Sequence, residues 1–62
     1  MRRPYRVKLV LPTVQDTQMF YAETRDEADE IVATFEREVL PEVPDGRVYV
    51  YVDTRLGHVR IR

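Results

Sequence analysis

Sixty-two residues with ten basic and eleven acidic side chains, a formal net charge of −1 and no cysteine describe a single small α+β domain, residues 1–62, with room for one core. A chain of this length buries only about 60% of the surface it exposes when unfolded, and its core supplies roughly 3–5 kcal/mol. Disulfides are excluded, and a lone histidine, His58, argues against a structural metal; self-association is the remaining staple.

The lack of cysteine fits a reducing compartment. Apolar runs reach only about five residues, far short of a leader or a membrane span, so a cytoplasmic location without a membrane partner is expected. Arginine outnumbers lysine nine to one, and Ser, Asn and Trp are missing. That bias suggests a bacterial or phage source. Charge is unevenly spread: residues 1–12 carry four cations and no acid, residues 24–45 eight acids and two arginines, and residues 46–62 four arginines and one aspartate.

From Tyr5 to Leu11 apolar residues alternate, which predicts a half-buried strand with Tyr5, Val7, Leu9 and Leu11 on the covered side. Pro12 ends it. A four-residue loop over Thr13–Asp16 would pair Leu9 with Phe20 and Val7 with Ala22 on the inner face. The outer face would then set Val10 beside Met19, Lys8 beside Tyr21 and Arg6 beside Glu23. A slip of one residue would expose Phe20 and bury Tyr21 instead.

Thr24 and Glu27 have the T-x-x-E spacing of a capping box. Ala28, Ile31, Val32, Phe35 and Val39 follow at helical intervals, and Pro41 stops the helix. Asp26, Glu27, Asp29 and Glu30 crowd its first turns, where the dipole favours anions; a straight helix cannot wrap oxygens around a cation, so no metal site is expected. Phe35 is expected at the centre of the helix–sheet contact.

Pro44-Asp45-Gly46 predicts a turn in which Gly takes a conformation other residues avoid. Val48, Val50 and Val52 then alternate with Tyr49 and Tyr51, and Thr54–Gly57 closes a second hairpin. Its register pairs Val52 with Val59 and Val50 with Ile61, and sets Tyr51 beside Arg60 and Tyr49 beside Arg62.

The order is ββαββ. This hairpin–helix–hairpin layout resembles the ubiquitin-roll (β-grasp) domains of the protein G and protein L type, from Tyr5 through the Thr24–Val39 helix to Val59-Arg60-Ile61. The resemblance implies one helix on one face of a four-stranded mixed sheet, strand order 2-1-4-3, with the terminal strands parallel and central. It carries no function, and the glycine pair that ends ubiquitin-like carriers is absent. A sheet completed across a homodimer is the alternative architecture.

Chemistry is sparse. Ser and Cys are absent, Lys8 is the only lysine, and nucleophilic catalysis draws on such groups with an activating neighbour. His58 stands at a hairpin end with Asp53 as its only evident orienting partner, which predicts a solvated turn histidine rather than a general base. No phosphate-binding glycine loop exists. The chain is therefore not expected to be an enzyme or to hold a cofactor.

The constellation that stands out is the sheet face opposite the helix, with Arg6, Lys8, Tyr21, Tyr49, Tyr51, Arg60 and Arg62. In the β-grasp order its cations would adjoin on the central strands, at a cost a small domain tolerates poorly. An interaction module for a protein partner or for self-association is expected. The alternative is a weak single-stranded nucleic-acid-binding sheet, since aromatic and basic residues on open sheets serve that use.

Overall fold

The computed structural model describes residues 3–62; Arg2, one of the four N-terminal cations, lies outside them. Strand β1 spans Tyr5–Leu11, a 3₁₀ turn Pro12–Val14, strand β2 Asp16–Ala22, helix α1 Arg25–Glu38, strand β3 Arg47–Thr54 and strand β4 Gly57–Arg60. One helix on a four-stranded sheet is the expected α+β arrangement, but the sheet is wholly antiparallel with order β2-β1-β3-β4. This corrects both the mixed sheet and the 2-1-4-3 order of the β-grasp resemblance. All four strands come from the one chain, so a second chain is not needed to form the sheet.

The reason lies in what a central strand must bury. β3 has eight residues, and its Val50 is completely inaccessible. β4 has four residues, all exposed. An interior strand is covered from both sides along its length, which suits the valine-rich β3, whereas Gly57-His58-Val59-Arg60 suits an edge. β3 therefore pairs directly with β1, and Asp53 donates its main-chain N–H to the Pro4 carbonyl at 2.8 Å.

The first hairpin turns one residue earlier than expected, which moves every cross-strand partner by two. Its loop runs from Pro12 to Gln15, and Asp16 pairs with Leu11. Pro12 has the φ that the first position of a 3₁₀ turn requires. Gln15, left-handed at φ 54°, donates its N–H back to the Pro12 carbonyl at 3.0 Å. The strand partners change accordingly: Val7 faces Phe20, Lys8 faces Met19 and Arg6 faces Tyr21. Because the side-chain period is two, a shift of two keeps every face. Phe20 remains on the helix side, half-buried, and Tyr21 is half-exposed on the other. The second hairpin has its expected register, with Val52 opposite Val59 and Tyr51 opposite Arg60.

Thr24 caps α1 as its sequence predicts, its hydroxyl accepting the Glu27 N–H at 3.2 Å. The Glu27 carboxylate reaches back to accept the N–H of Glu23 at 3.2 Å. Glu23 thus belongs to the helix entry, not to the outer sheet face beside Arg6. Thr24→Ala should cost about 1 kcal/mol, read as a lower urea midpoint with an unchanged slope. An unchanged midpoint would show that the cap contributes nothing here.

The buried residues are Val7, Leu9 and Leu11 from β1, Ala22 from β2, Ala28 and Val32 from α1, and Val50 from β3. Ala28 is fully buried, and its small side chain lets the helix lie close to the sheet. Phe35 is therefore not the centre of the contact: it is half-buried at the β2 flank, 5.1 Å from the Phe20 ring and tilted 55° to it. The special backbone conformation read for Gly46 belongs to the other glycine. Gly57 takes the left-handed conformation, φ 110°, in the β3–β4 turn. Gly46 does not; a Cβ there would stand 2.7 Å from Leu40 Cδ2 and 3.1 Å from the Val43 carbonyl, so a side chain would have to displace the Leu40 tip and crowd the main chain. Among the described residues, no helix is long and apolar enough to cross a membrane.

Candidate interaction surface

The alternation that buries Val7, Leu9 and Val50 turns the intervening residues of each strand to the helix-free face. There β1 presents Arg6, Lys8 and Val10, β2 presents Met19 and Tyr21, β3 presents Tyr49, Tyr51 and Asp53, and β4 presents His58 and Arg60. The registers assemble them into rows. Arg6 lies opposite both Tyr21 and Tyr51, and Tyr51 lies opposite Arg60. One row across all four strands thus alternates Tyr21, Arg6, Tyr51, Arg60. Met19, Lys8 and Tyr49 form the next row.

This placement corrects the expected adjacency of cations. The tyrosines of β3 stand between the β1 and β4 cations, so the predicted like-charge repulsion on central strands is absent. Aromatic faces take its place. The Arg6 guanidinium lies 5.5 Å from the Tyr21 ring centroid and that of Arg60 lies 4.7 Å from Tyr49, within the range of cation–π attraction of about 0.5–1 kcal/mol for exposed pairs.

Arg62 leaves the group. Its guanidinium reaches to the helix side, 3.1 Å from Asp29 Oδ1 and 3.7 Å from Glu36 Oε1, while its carbonyl accepts from Val50 N–H at 3.2 Å and Arg60 Nε at 3.2 Å. At the chain end the regular alternation lapses, and the acidic helix flank attracts the last arginine. Of the seven residues expected on this face, the structure therefore brings together Arg6, Lys8, Tyr21, Tyr49, Tyr51 and Arg60.

It adds Asp53 and His58, and Met19 lies on this face as the first hairpin's alternation predicts. Asp53 Oδ1 lies 2.5 Å from His58 Nδ1 and 3.4 Å from Arg6 Nε. The Arg6 Nε is buried and makes no hydrogen bond, so this contact is an ion pair without directional bonding. The Asp53–His58 contact follows from their direct pairing in the second hairpin, a signal the sequence contained. A hollow of about 130 Å³, lined by Arg6, Lys8, Met19, Tyr51 and His58, opens on this face. Its chemistry is a wall of thioether and phenol ringed by cations and one imidazole. Among the described residues, no carboxylate lies within ion-pair distance of Lys8 or Arg60, and no three His, Asp or Glu side chains converge as a metal would require.

A wider hollow, about 640 Å³ and open to solvent, lies on the outer side of α1 among Glu27, Glu30, Ile31, Ala33, Thr34 and Arg37. It contains no convergent set of polar groups. No protein-family model matches the chain, and no curated protein or solved structure is significantly similar to it.

Proposed function

We propose that this domain is a non-enzymatic protein-interaction module whose working surface is the open sheet face of Arg6, Lys8, Tyr21, Tyr49, Tyr51 and Arg60. The observation that carries the reading is the alternating Tyr21–Arg6–Tyr51–Arg60 row, whose Arg6 and Tyr51 line a hollow together with Lys8, Met19 and His58. Tyr, Met and Arg are the residue types that interfaces favour. Lys8 and Arg60 stand unpaired by carboxylates and would meet acidic side chains of a partner. The hollow against Met19 and Tyr51 would take an apolar or aromatic one. An acidic segment carrying an aromatic residue fits both. The composition fits a bacterial or phage source, and the lack of cysteine a cytoplasmic setting.

A weak single-stranded nucleic-acid-binding sheet is the second reading, favoured by the exposed tyrosines among cations. Against it, Arg6 is engaged with Asp53 and Arg62 with the helix. Few cations remain for phosphates, whose neutralisation dominates such affinities.

The test is an NMR titration of the labelled domain with an acidic aromatic peptide and, separately, with an oligouridine. Peptide-induced shifts at Arg6, Lys8 and Tyr51 that vanish in the Lys8→Glu/Arg60→Glu double variant support the protein-partner reading. Oligonucleotide binding that weakens with salt at a log–log slope of about 0.7 per phosphate contacted would move the assignment to the second reading. If the double reversal leaves every interaction of the domain unchanged, the face is a solvated sheet surface.

A further inference from the structure

We propose that β2 is a self-pairing edge, through which two copies of the chain join their sheets antiparallel about a two-fold axis at Met19. The proposal does not depend on the open face being the working surface.

It starts from the hydrogen-bond parity of the sheet. The bond from Asp53 N–H to the Pro4 carbonyl makes these two a bonded pair of the β1–β3 ladder. Bonded and non-bonded pairs alternate in antiparallel sheets, so Arg6, Lys8 and Val10 turn their main-chain groups to β3. Tyr5, Val7, Leu9 and Leu11 turn theirs to β2, where they meet Ala22, Phe20, Gln18 and Asp16. The N–H and C=O groups of Thr17, Met19 and Tyr21 are therefore directed away from the sheet, at its free edge.

The two edges are unequally protected. β4 is four residues long and its outward groups belong to His58 and Arg60. Short length and charge are how sheets blunt an edge. β2 has seven residues in unbroken register, and from Thr17 to Ala22 it contains no charge and no proline. Apolar groups flank it on both faces: Met19 is 40% and Tyr21 50% exposed on the open side, and Phe20, Phe35 and Ile31 are only partly buried on the helix side.

A second copy is the occupant because β2 complements itself. Pairing about Met19 sets Met19 against its own copy and Thr17 against Tyr21, so that every outward-facing residue of both strands is bonded. On the helix side, Phe20 meets the stem of Gln18. The helix packs chiefly over β1 and leans on β2 more than on β3. Phe20 and Phe35 of each copy, only partly buried and with rings 5.1 Å apart, lie on the helix side of that edge. The need is also plain: the largest fully buried side chains are valines, and domains this small commonly add a subunit when no disulfide or metal is available.

Molar mass by sedimentation or light scattering, from about 10 µM to 1 mM, tests the proposal. The mass should rise towards twice that of the monomer, and amide exchange at Thr17, Met19 and Tyr21 should slow in step. Met19→Pro removes an N–H that serves only the free edge, a position where sheets tolerate proline. It should raise the dissociation constant at least about tenfold while circular dichroism is retained. Met19→Lys sets an ammonium against its own copy and should act likewise; it decides the matter should the proline variant not fold. Lys8→Glu/Arg60→Glu should leave dimerisation unchanged. A single monomeric mass throughout, association indifferent to the Met19 variants, or association abolished by the open-face reversal would each overturn it.

Discussion

Val50→Asp should leave the domain unfolded at neutral pH. Val50 is inaccessible to solvent and lies between β1 and β4, packed against Val7 and the helix residues Ala28 and Val32. Arg62, whose carbonyl accepts the Val50 N–H, has its guanidinium engaged with Asp29 and Glu36. Even after relaxation, an unpaired buried carboxylate costs several kcal/mol. The core of a domain this size supplies about as much in total, so the charged form cannot be held. Burial raises the pKa of the introduced carboxyl in the folded state above its unfolded value of about 3.9. The penalty is therefore complete above the raised value and eases as the pH falls, because the folded state then binds the extra proton more tightly. The expected result is a collapsed amide spectrum at pH 7 with some recovery of dispersion on mild acidification. A cooperative melt at pH 7 within a few degrees of the wild type would show that this site is not the core.

The aromatic pair at the β2 flank is the second sensitive place. A fully buried Phe→Ala change costs about 3–5 kcal/mol, but Phe35 and Phe20 are each only half-buried. Phe35→Ala should therefore cost about 2 kcal/mol, still a large share of the total. Phe20→Ala should be comparable. Their tilted rings, 5.1 Å apart, should also couple by about 0.5–1.5 kcal/mol in a double-mutant cycle of denaturant midpoints. Strict additivity would mean that the rings touch without stabilising each other. A loss for Phe35→Ala of the full fully buried size would restore Phe35 to the centre of the core.

Local features of this chain were legible in the residues alone, because each depends on short-range chemistry. The Thr24 cap with Glu27, the helix stopping before Pro41, the period-two strands and the second hairpin's register through Thr54–Gly57 all stand in the structure. So does the sorting of faces: Tyr21 and Phe20 fall on opposite sides although their cross-strand partners differ by two positions, since parity survives an even shift.

What only the tertiary structure decided is which strand lies beside which. Both the β-grasp order and the observed one place the same residues on the same face, so hydrophobic alternation cannot separate them. The choice fell to burial: Val50 is completely covered and needs neighbours on both sides, whereas the short β4 can be left at the edge. That order separates the cations of β1 and β4 by the tyrosines of β3, while β2, paired to β1 on its inner side only, is an edge strand in both orders. The end of the chain was decided in the same way. Alternation assigns Arg62 to the open face, but past the last regular pair the side chain is free to turn, and Asp29 and Glu36 on the helix draw it to the other side.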